Sequence, residues 1–117
     1  MGLRTVVSVQ AMTFDALGEP TRLRIVELLR RGPSSVGEIA EGLGIRQPQA
    51  SKHLKVLSDA GFVSVEAQAR RRIYRLRAEP FEGIASWVGS FERTWEARLD
   101  SLGTYLASLD ARGTADG

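Results

Sequence analysis

The stretch Gln47-Pro48-Gln49-Ala50-Ser51-Lys52-His53-Leu54-Lys55 decides the fold of this 117-residue chain. Helical steps of about 100° place Ala50 and Leu54 on one face, while Gln49 and Lys52 lie on the opposite face. One face is therefore apolar and the other is polar and basic. The stretch predicts an amphipathic helix over 47–60.

The residues around this helix complete a helix-turn-helix pattern over about 35–60. Upstream, Ser35 and Glu38 have the spacing of a capping box, in which the two side chains satisfy free backbone N–H groups at a helix start. A short helix is predicted from there to about residue 41, followed by a glycine-containing turn at 42–45. Pro48 fits the first turn of the second helix, and Gly61 fits the position after its end.

A β-hairpin is predicted directly after the helix-turn-helix, over about 62–77. Residues 62–66 and 73–76 alternate apolar and polar side chains in the manner of strands, with 68–71 as the tip. Upstream of the helix-turn-helix, a loosely helical apolar pattern over 5–17 precedes a second helix that begins at Pro20. This order predicts a winged helix: a mainly α protein with a small β-hairpin (α+β).

The helix that begins at Pro20 has an apolar face and a cationic one. We expect its apolar side chains to be buried: Leu23, Ile25, Val26, Leu28 and Leu29. We expect its arginines to lie in solvent: Arg22, Arg24, Arg30 and Arg31.

From Pro80 onwards, apolar residues recur at spacings of three, four or seven, which is an a/d seam over 80–109. A helix of that extent would be about 45 Å long at 1.5 Å per residue. Since a small winged-helix core cannot cover that length, part of the seam needs another chain. Three glycines argue against one straight helix: Gly83, Gly89 and Gly103.

The charges are divided unevenly along the chain, although the net charge is only +2. Residues 1–77 carry 13 Lys and Arg against 7 Asp and Glu, whereas residues 78–117 carry 3 against 7. The first part is therefore suited to a negatively charged partner. Length and composition predict a single domain over 1–110 with a flexible tail at 111–117.

Composition also disfavours several classes of site. The chain has no cysteine, which excludes a disulfide framework, thiolate metal ligands and a redox nucleophile. The single histidine, His53, cannot build a metal cage alone, and no spacing predicts an acid–base pair. We therefore expect no catalytic residue, metal or cofactor. Lacking a long apolar run or a signal peptide, the protein is expected in the cytoplasm at the nucleoid, without membrane contact.

The polar face of helix 47–60 and the hairpin arginines together predict contact with DNA. Glutamine can pair with adenine, lysine can reach guanine acceptors or phosphate, and clustered arginines neutralise phosphates. The alternatives are a solvated helix face and a solubilising hairpin tip. The candidate DNA-binding residues are Arg46, Gln47, Gln49, Ser51, Lys52, His53, Lys55, Arg70, Arg71 and Arg72.

Within that set we expect Gln49, Ser51 and Lys52 to read bases, and Arg46, Lys55 and the tip arginines to hold phosphates. In sequence, no acidic residue lies closer to the tip arginines than Glu66 and Glu79. Arg75 and Arg77 are equally open to ion pairing on their strands. His53 is expected to pack or to contact phosphate.

With these elements placed, the sequence resembles the ArsR/SmtB family of bacterial winged-helix repressors. The resemblance covers about residues 11–109. The matching text is Ala16-Leu17-Gly18-Glu19-Pro20-Thr21-Arg22-Leu23-Arg24-Ile25, Val36-Gly37-Glu38-Ile39-Ala40, Gln49-Ala50-Ser51-Lys52-His53-Leu54-Lys55-Val56-Leu57 and Ala60-Gly61-Phe62-Val63.

The resemblance implies a homodimer in which the first and last helices pair and two recognition helices face a palindromic operator in double-stranded DNA. Trp95 is expected to be buried between subunits or against the first helix, while Trp87 beside the seam is open to packing or to an effector pocket. The implied interface residues are Met12, Phe14, Phe81, Ile84, Val88, Phe91, Trp95, Leu99, Leu102 and Tyr105.

The chain departs from the metal-sensing members of that family. Where they have Cys-Val-Cys, this sequence has Ile39-Ala40-Glu41, and its last helix lacks the histidine-containing ligand set. It therefore resembles the metal-independent, cysteine-free branch. The predicted function is a sequence-specific dimeric repressor that binds an inverted-repeat promoter site, with autoregulation as one option. Two alternatives stay open: a switch responding to a small apolar effector at the dimer interface, and a winged-helix module that docks on a protein.

Overall fold

The computed structural model describes residues 11–116, and the side chains of residues 11–111. The described residues up to Gly83 form one compact unit, and those from Ile84 form a second. In chain order the elements are α1 (residues 11–17), α2 (Pro20–Leu29), β1 (Ser34–Ser35), α3 (Val36–Leu43), α4 (Gln47–Asp59), β2 (Val63–Gln68), β3 (Arg71–Leu76) and α5 (Glu79–Asp116). This order confirms the predicted winged helix, while the single domain over 1–110 stays a prediction. Of the apolar pattern at 5–17, residues 5–10 lie outside the described residues.

The core of the first unit is an apolar cluster contributed by its helices, by Phe62 and by the hairpin strands. Its largest side chains have no exposed surface: Ile25, Ile39, Leu54, Leu57 and Phe62. Burial of each such side chain contributes about 1.5–3 kcal/mol. Because Leu54 and Leu57 lie three residues apart on α4, they share the face that packs into this core.

Helix α2 buries Ile25, Val26 and Leu29, but Leu23 is 48% exposed, so its predicted burial was wrong. The reason is angular: Leu23 lies about 200° around the helix from Ile25.

The arginines of α2 are also less free than predicted. The Arg22 Nε donates to the Ala16 carbonyl at 2.6 Å, and an Arg24 Nη donates to the Leu43 carbonyl at 3.2 Å. These bonds tie α2 to the ends of α1 and α3.

The helix-turn-helix has the caps that the sequence predicted. The Ser35 hydroxyl accepts from the Glu38 backbone N–H at 3.2 Å, and the Glu38 carboxylate accepts from the Ser35 N–H at 2.9 Å. Helix α3 runs to Leu43, past its predicted end, and Gly44 then adopts φ +68°. Gly61 after α4 adopts φ +82°. Both glycines occupy left-handed backbone that other residues adopt at a cost.

The sheet has three antiparallel strands in the order β1-β3-β2. Strand β1 was not predicted, because two serines carry no strand pattern; Ser35 pairs with Ile73. In the hairpin, Val65 faces Tyr74, which is 8% exposed. The tip is the two-residue turn 69–70, shorter than predicted, with Ala69 at φ +55°.

Helix α5 continues to Asp116, past the predicted end at 109, and includes the three glycines that argued against a single helix. An interior glycine costs a helix about 1 kcal/mol relative to alanine. The neighbouring Ala, Leu, Glu and Arg residues favour the helical conformation and offset that cost. The flexibility predicted for 111–117 stays a prediction, and residue 117 lies outside the described residues.

Candidate nucleic-acid interface

The outer face of α4 is polar and basic. Both lysines of the chain, Lys52 and Lys55, are exposed on this helix, as are Gln47, Gln49 and Ser51. The Lys55 ammonium lies 3.5 Å from an Asp59 carboxylate oxygen in a pair that is largely exposed. Because such surface pairs contribute only about 0–1 kcal/mol, Lys55 remains available to an anionic ligand.

One apolar side chain on this helix was missed by the sequence reasoning. Val56 is 37% exposed, and at 100° per residue it lies about 200° around the helix from the buried Leu54. An exposed methyl group beside lysines can contact the methyl group of thymine in the major groove. The helical spacing of Val56 could have placed it on this face beside Gln49 and Lys52.

We call the β-hairpin of β2 and β3, residues 63–76, the wing. Two grooves lie between α4 and the wing. The first lies at the start of α4 and is lined by Gln47 and by Arg70, Arg71 and Arg72 of the wing. The second is lined by Ser51 and Lys55 of α4 and again by Arg72. The fold thus brings together two groups of candidate residues that are about 20 positions apart in the sequence.

The wing arginines differ in what they contact. Arg75 pairs with Glu66 at 3.3 Å and Arg77 with Glu79 at 3.2 Å, so both form ion pairs of the kind that the sequence left open for them beside phosphate contact. Within the part of the chain that the structure describes, Arg70 and Arg72 have no ion-pair partner. The unpaired cations of the wing are therefore at its tip and on the side facing α4.

Arg71 has an acidic partner in space that the sequence did not indicate. Its Nη2 donates to the Glu38 carboxylate at 2.7 Å and to the Ser35 hydroxyl at 3.1 Å. The nearest acidic group in space is therefore Glu38, which is 33 residues away in the chain. The backbone N–H of Ser35 is the main cause that lowers the pKa of Glu38 below its ordinary value, and Arg71 adds to it.

Gln49 has a structural contact that competes with its predicted role in base reading. The Arg46 backbone N–H donates to the Gln49 side-chain oxygen at 3.3 Å, at the start of α4. A bidentate pair with adenine needs this oxygen as well as the amide nitrogen. Base reading by Gln49 therefore requires that the contact with Arg46 open, whereas Lys52 carries no such constraint.

His53 is half-buried and faces α2 rather than standing on the exposed face of α4. Its Nδ1 lies 3.6 Å from a carboxylate oxygen of Glu19. Glu19 also accepts from the Arg22 backbone N–H at 3.0 Å, which caps α2. Desolvation raises the pKa of Glu19, but the bond from Arg22 and the nearby His53 outweigh it, so this pKa is lowered. The sequence did not indicate this link between α2 and α4.

The second unit exposes a long apolar seam. Its side chains are each 42–62% exposed: Val88, Phe91, Trp95, Leu99, Leu102, Tyr105, Leu106 and Leu109. Trp87 packs edge-on against Phe91 with ring centroids 4.8 Å apart, and the Arg98 guanidinium lies 5.5 Å from the Trp95 ring centroid. Trp95 is thus 57% exposed within a single chain.

Phe81 does not belong to this exposed seam, although the sequence placed it there. Its ring packs edge-on against the buried Phe62 at a centroid distance of 5.2 Å. Phe81 is half-buried and packs on the core of the first unit, because it lies at the beginning of α5. Ile84 is half-buried, and on α1 Met12 is 58% and Phe14 38% exposed.

Two kinds of feature are absent from the described residues. None of their helices combines the length and apolar character that crossing a membrane requires. No three of their His, Cys, Asp or Glu residues form a group that could hold a metal ion.

Comparison with known sequences places the chain among bacterial regulators. A family described as a helix-turn-helix domain matches residues 17–66. The HTH-type transcriptional regulator Rv2034 of Mycobacterium tuberculosis is 37% identical over 100 residues, which cover 86% of this chain and 88% of that protein. The transcriptional repressor SdpR of Bacillus subtilis is 32% identical over 78 residues, which cover 67% and 87%.

Comparison with solved structures gives the same result. The crystal structure of an ArsR family transcriptional regulator aligns with a TM-score of 0.70 and 31% identity, covering 76% of this chain and 92% of that one. A homodimeric winged helix-turn-helix DNA-binding domain from Mycobacterium bovis aligns with a TM-score of 0.64 and 27% identity, covering 77% and 83%.

Proposed function

This chain belongs to the ArsR/SmtB family of winged-helix transcriptional repressors, and on that basis we propose that it is a dimeric repressor of an inverted-repeat promoter site. Repression would follow from occupation of the promoter. The relatives are transcriptional regulators, and we assign no catalytic residue to this chain.

The observation that carries the proposal is the shared surface of α4 and the wing. Gln47 shares one groove with the wing arginines, and Ser51 and Lys55 share another with Arg72. A helix can enter the major groove of DNA while adjacent cations hold the phosphate backbone. The two grooves support this arrangement, because residues suited to each kind of contact line them together.

The residues divide into two roles in this proposal. Lys52 and Ser51, with Gln49 after its contact with Arg46 opens, read base edges. Lys55, Arg46, Gln47, Arg70 and Arg72 contact phosphates, and Val56 supplies an apolar contact. His53 keeps one ring nitrogen near Glu19, which leaves the other for a phosphate.

The exposed seam of α5 supports the dimer. Soluble monomers rarely expose contiguous apolar patches of more than a few hundred Å², and the seam continues over about six helical turns. The homodimeric state of the similar domain from Mycobacterium bovis supports the same assembly. In a two-fold symmetric dimer the two α4 helices would enter successive major grooves about 34 Å apart.

A binding titration tests this function. A labelled fragment of the promoter of the protein's own gene is titrated at physiological salt, with a scrambled fragment of equal length as competitor. We expect tighter binding to the promoter fragment and a footprint with two-fold symmetry. Equal affinity for both fragments would reject sequence-specific repression of the protein's own gene. A selection of bound fragments from the source genome would then decide between another operator and a protein-docking module.

Substitutions assign the roles. Lys52→Ala is expected to reduce the preference for the operator over the scrambled fragment by about 5- to 150-fold, since a specific base contact discriminates by about 1–3 kcal/mol. Arg31→Gln is the control, because it removes one exposed cation in the turn after α2 that lines neither groove. If Lys52→Ala, like Arg31→Gln, changes the affinity for the operator and for the scrambled fragment by the same factor, α4 does not read bases.

A further inference from the structure

The wing is joined to the start of α3 by a compact polar cluster. The Glu38 carboxylate accepts from the Ser35 N–H at 2.9 Å and from the Arg71 guanidinium at 2.7 Å. The Ser35 hydroxyl accepts from the Glu38 N–H at 3.2 Å and from Arg71 at 3.1 Å. A single carboxylate and a single hydroxyl therefore serve both the helix cap and the wing.

The backbone places this cluster at the outer end of the wing, next to its turn. Ser35 pairs with Ile73 in the sheet, and Arg71 lies on the same side of β3 as Ile73 because side chains alternate along a strand. Beyond Arg71, the hairpin consists of exposed residues: Gln68, Ala69 and Arg70. Arg71 is thus the outermost point at which the described structure ties the wing to the helix-turn-helix.

Within the proposed function, we propose that Glu38 is a positioning residue for DNA binding, which holds the wing through Arg71 so that Arg70 and Arg72 face the DNA backbone. Arg71 then acts as a structural cation and does not bind phosphate. A hairpin that is already fixed loses less conformational freedom when it binds, and this saving strengthens binding. The capping box of α3 and the orientation of the wing are therefore controlled by the same carboxylate.

Electrostatics alone gives the opposite expectation for Glu38. A carboxylate beside a DNA surface repels phosphates, so its neutralisation should strengthen binding. Under the positioning role, Glu38→Gln instead weakens operator binding by about two- to tenfold, the effect of ordering one or a few more side chains on association. Glutamine is also accepted at this position of a capping box, so the cap of α3 is retained.

Glu41→Gln is the matched control. Glu41 is an exposed glutamate on the same helix, and its substitution removes the same charge without touching Arg71. We expect Glu41→Gln to leave operator affinity unchanged or to increase it. If Glu38→Gln behaves in the same way, the positioning role is wrong.

The salt dependence of binding separates a structural cation from a phosphate ligand. The slope of log K against log salt should fall by about 0.9 for Arg72→Gln, because one phosphate contact is lost. For Arg71→Gln the affinity should fall while the slope stays that of the wild type. Arg71→Lys, which keeps a donor for both contacts, should recover most of the affinity. A slope that falls equally for Arg71→Gln and Arg72→Gln overturns the assignment.

Two further measurements keep the result independent of the DNA. In the free protein, Glu38→Gln should reduce the protection from hydrogen exchange of the backbone amides of Gln68 and Arg71, which pair at the outer end of the hairpin, while the amides of α4 remain protected. The double variant Glu38→Gln with Arg71→Gln should bind no more weakly than Arg71→Gln alone, because both changes remove one interaction. Unchanged exchange in the wing, or additive losses of affinity, would refute the role of Glu38. If the wild type binds no operator at all, the proposed function fails instead, and the exchange experiment alone decides whether Glu38 holds the wing.

Discussion

Leu102→Ala on the exposed seam of α5 gives the sharpest test of the proposed dimer. The change removes about three carbon groups, each worth about 0.8 kcal/mol when it is fully buried. Since Leu102 is 51% exposed in the single chain, about half of that value, roughly 1.2 kcal/mol, remains to be gained by each copy on dimerisation. A symmetric dimer contains the residue twice, so the loss is about 2.4 kcal/mol, or a roughly 50-fold weaker dimer.

Sedimentation equilibrium over a range of protein concentrations measures this change directly. The control is Ala97→Ser, which lies about 200° around the helix from the seam position Trp95 and should leave the dimerisation constant unchanged. Circular dichroism would verify that both variants keep their helical content. A Leu102→Ala variant that dimerises as tightly as the wild type would refute the assignment of this seam to the interface, as would a wild-type chain that stays monomeric at high concentration.

Three further outcomes are expected. Gly61→Ala should reduce the free energy of unfolding by about 1–2 kcal/mol, because Gly61 has φ +82°, whereas Gly83→Ala in α5, with open space around it, should not destabilise the protein in the same urea titration. Because the pKa of Glu38 is lowered in the folded state, its contribution to stability is complete above the ordinary carboxyl pKa and disappears as the pH falls through the lowered value. The difference in Tm between wild type and Glu38→Gln should therefore shrink as the pH is lowered from neutral into the acid range, and a difference that does not change with pH would contradict this origin. Arg72→Ala should reduce the salt slope of DNA binding by about 0.9. Arg75→Ala should reduce the slope less, because the Arg75 cation is already paired with a glutamate. Anisotropy titrations at several salt concentrations distinguish the two variants, and equal slopes would contradict the difference that we assign to these arginines.

Much of the fold could be predicted because it depends on local rules. The capping box of Ser35 and Glu38 requires only two residue types three positions apart, and the structure shows both of its hydrogen bonds. The helix predicted over 47–60 is observed as Gln47–Asp59 because its apolar residues recur at one helical period. Gly61 likewise has the positive φ that its place after the helix predicted.

The features that the sequence could not supply depend on contacts between distant positions. Nothing near Arg71 in the chain indicates that Glu38 is its partner, since 33 residues separate them. The short strand β1 exists only because β3 passes beside it. Phe81 has the spacing of the α5 seam and yet packs against Phe62, so periodicity alone does not tell which apolar residues a core takes and which remain exposed.

The candidate site shows the same division. The sequence located the basic residues of α4 and the wing, because charge clusters are visible in it. It did not separate the cations that are free from those that are paired. Arg70 and Arg72 form no ion pair within the described residues, whereas Arg71, Arg75 and Arg77 do. That distinction follows from the positions of glutamates, which the strand register and the helix packing determine.

The tight turn of the hairpin restricts how its length can change during evolution. Ala69 and Arg70 alone connect the two strands, and Tyr74 is buried opposite Val65. Inserting one residue and shifting the pairing by one would exchange the two faces of the strand, so that a tyrosine would enter water and an arginine would enter the core. Homologues with longer hairpins should therefore add residues in pairs, or place an odd insertion wholly within the turn. Either kind of insertion would move the tip cations farther along the DNA without disturbing the core of the winged helix.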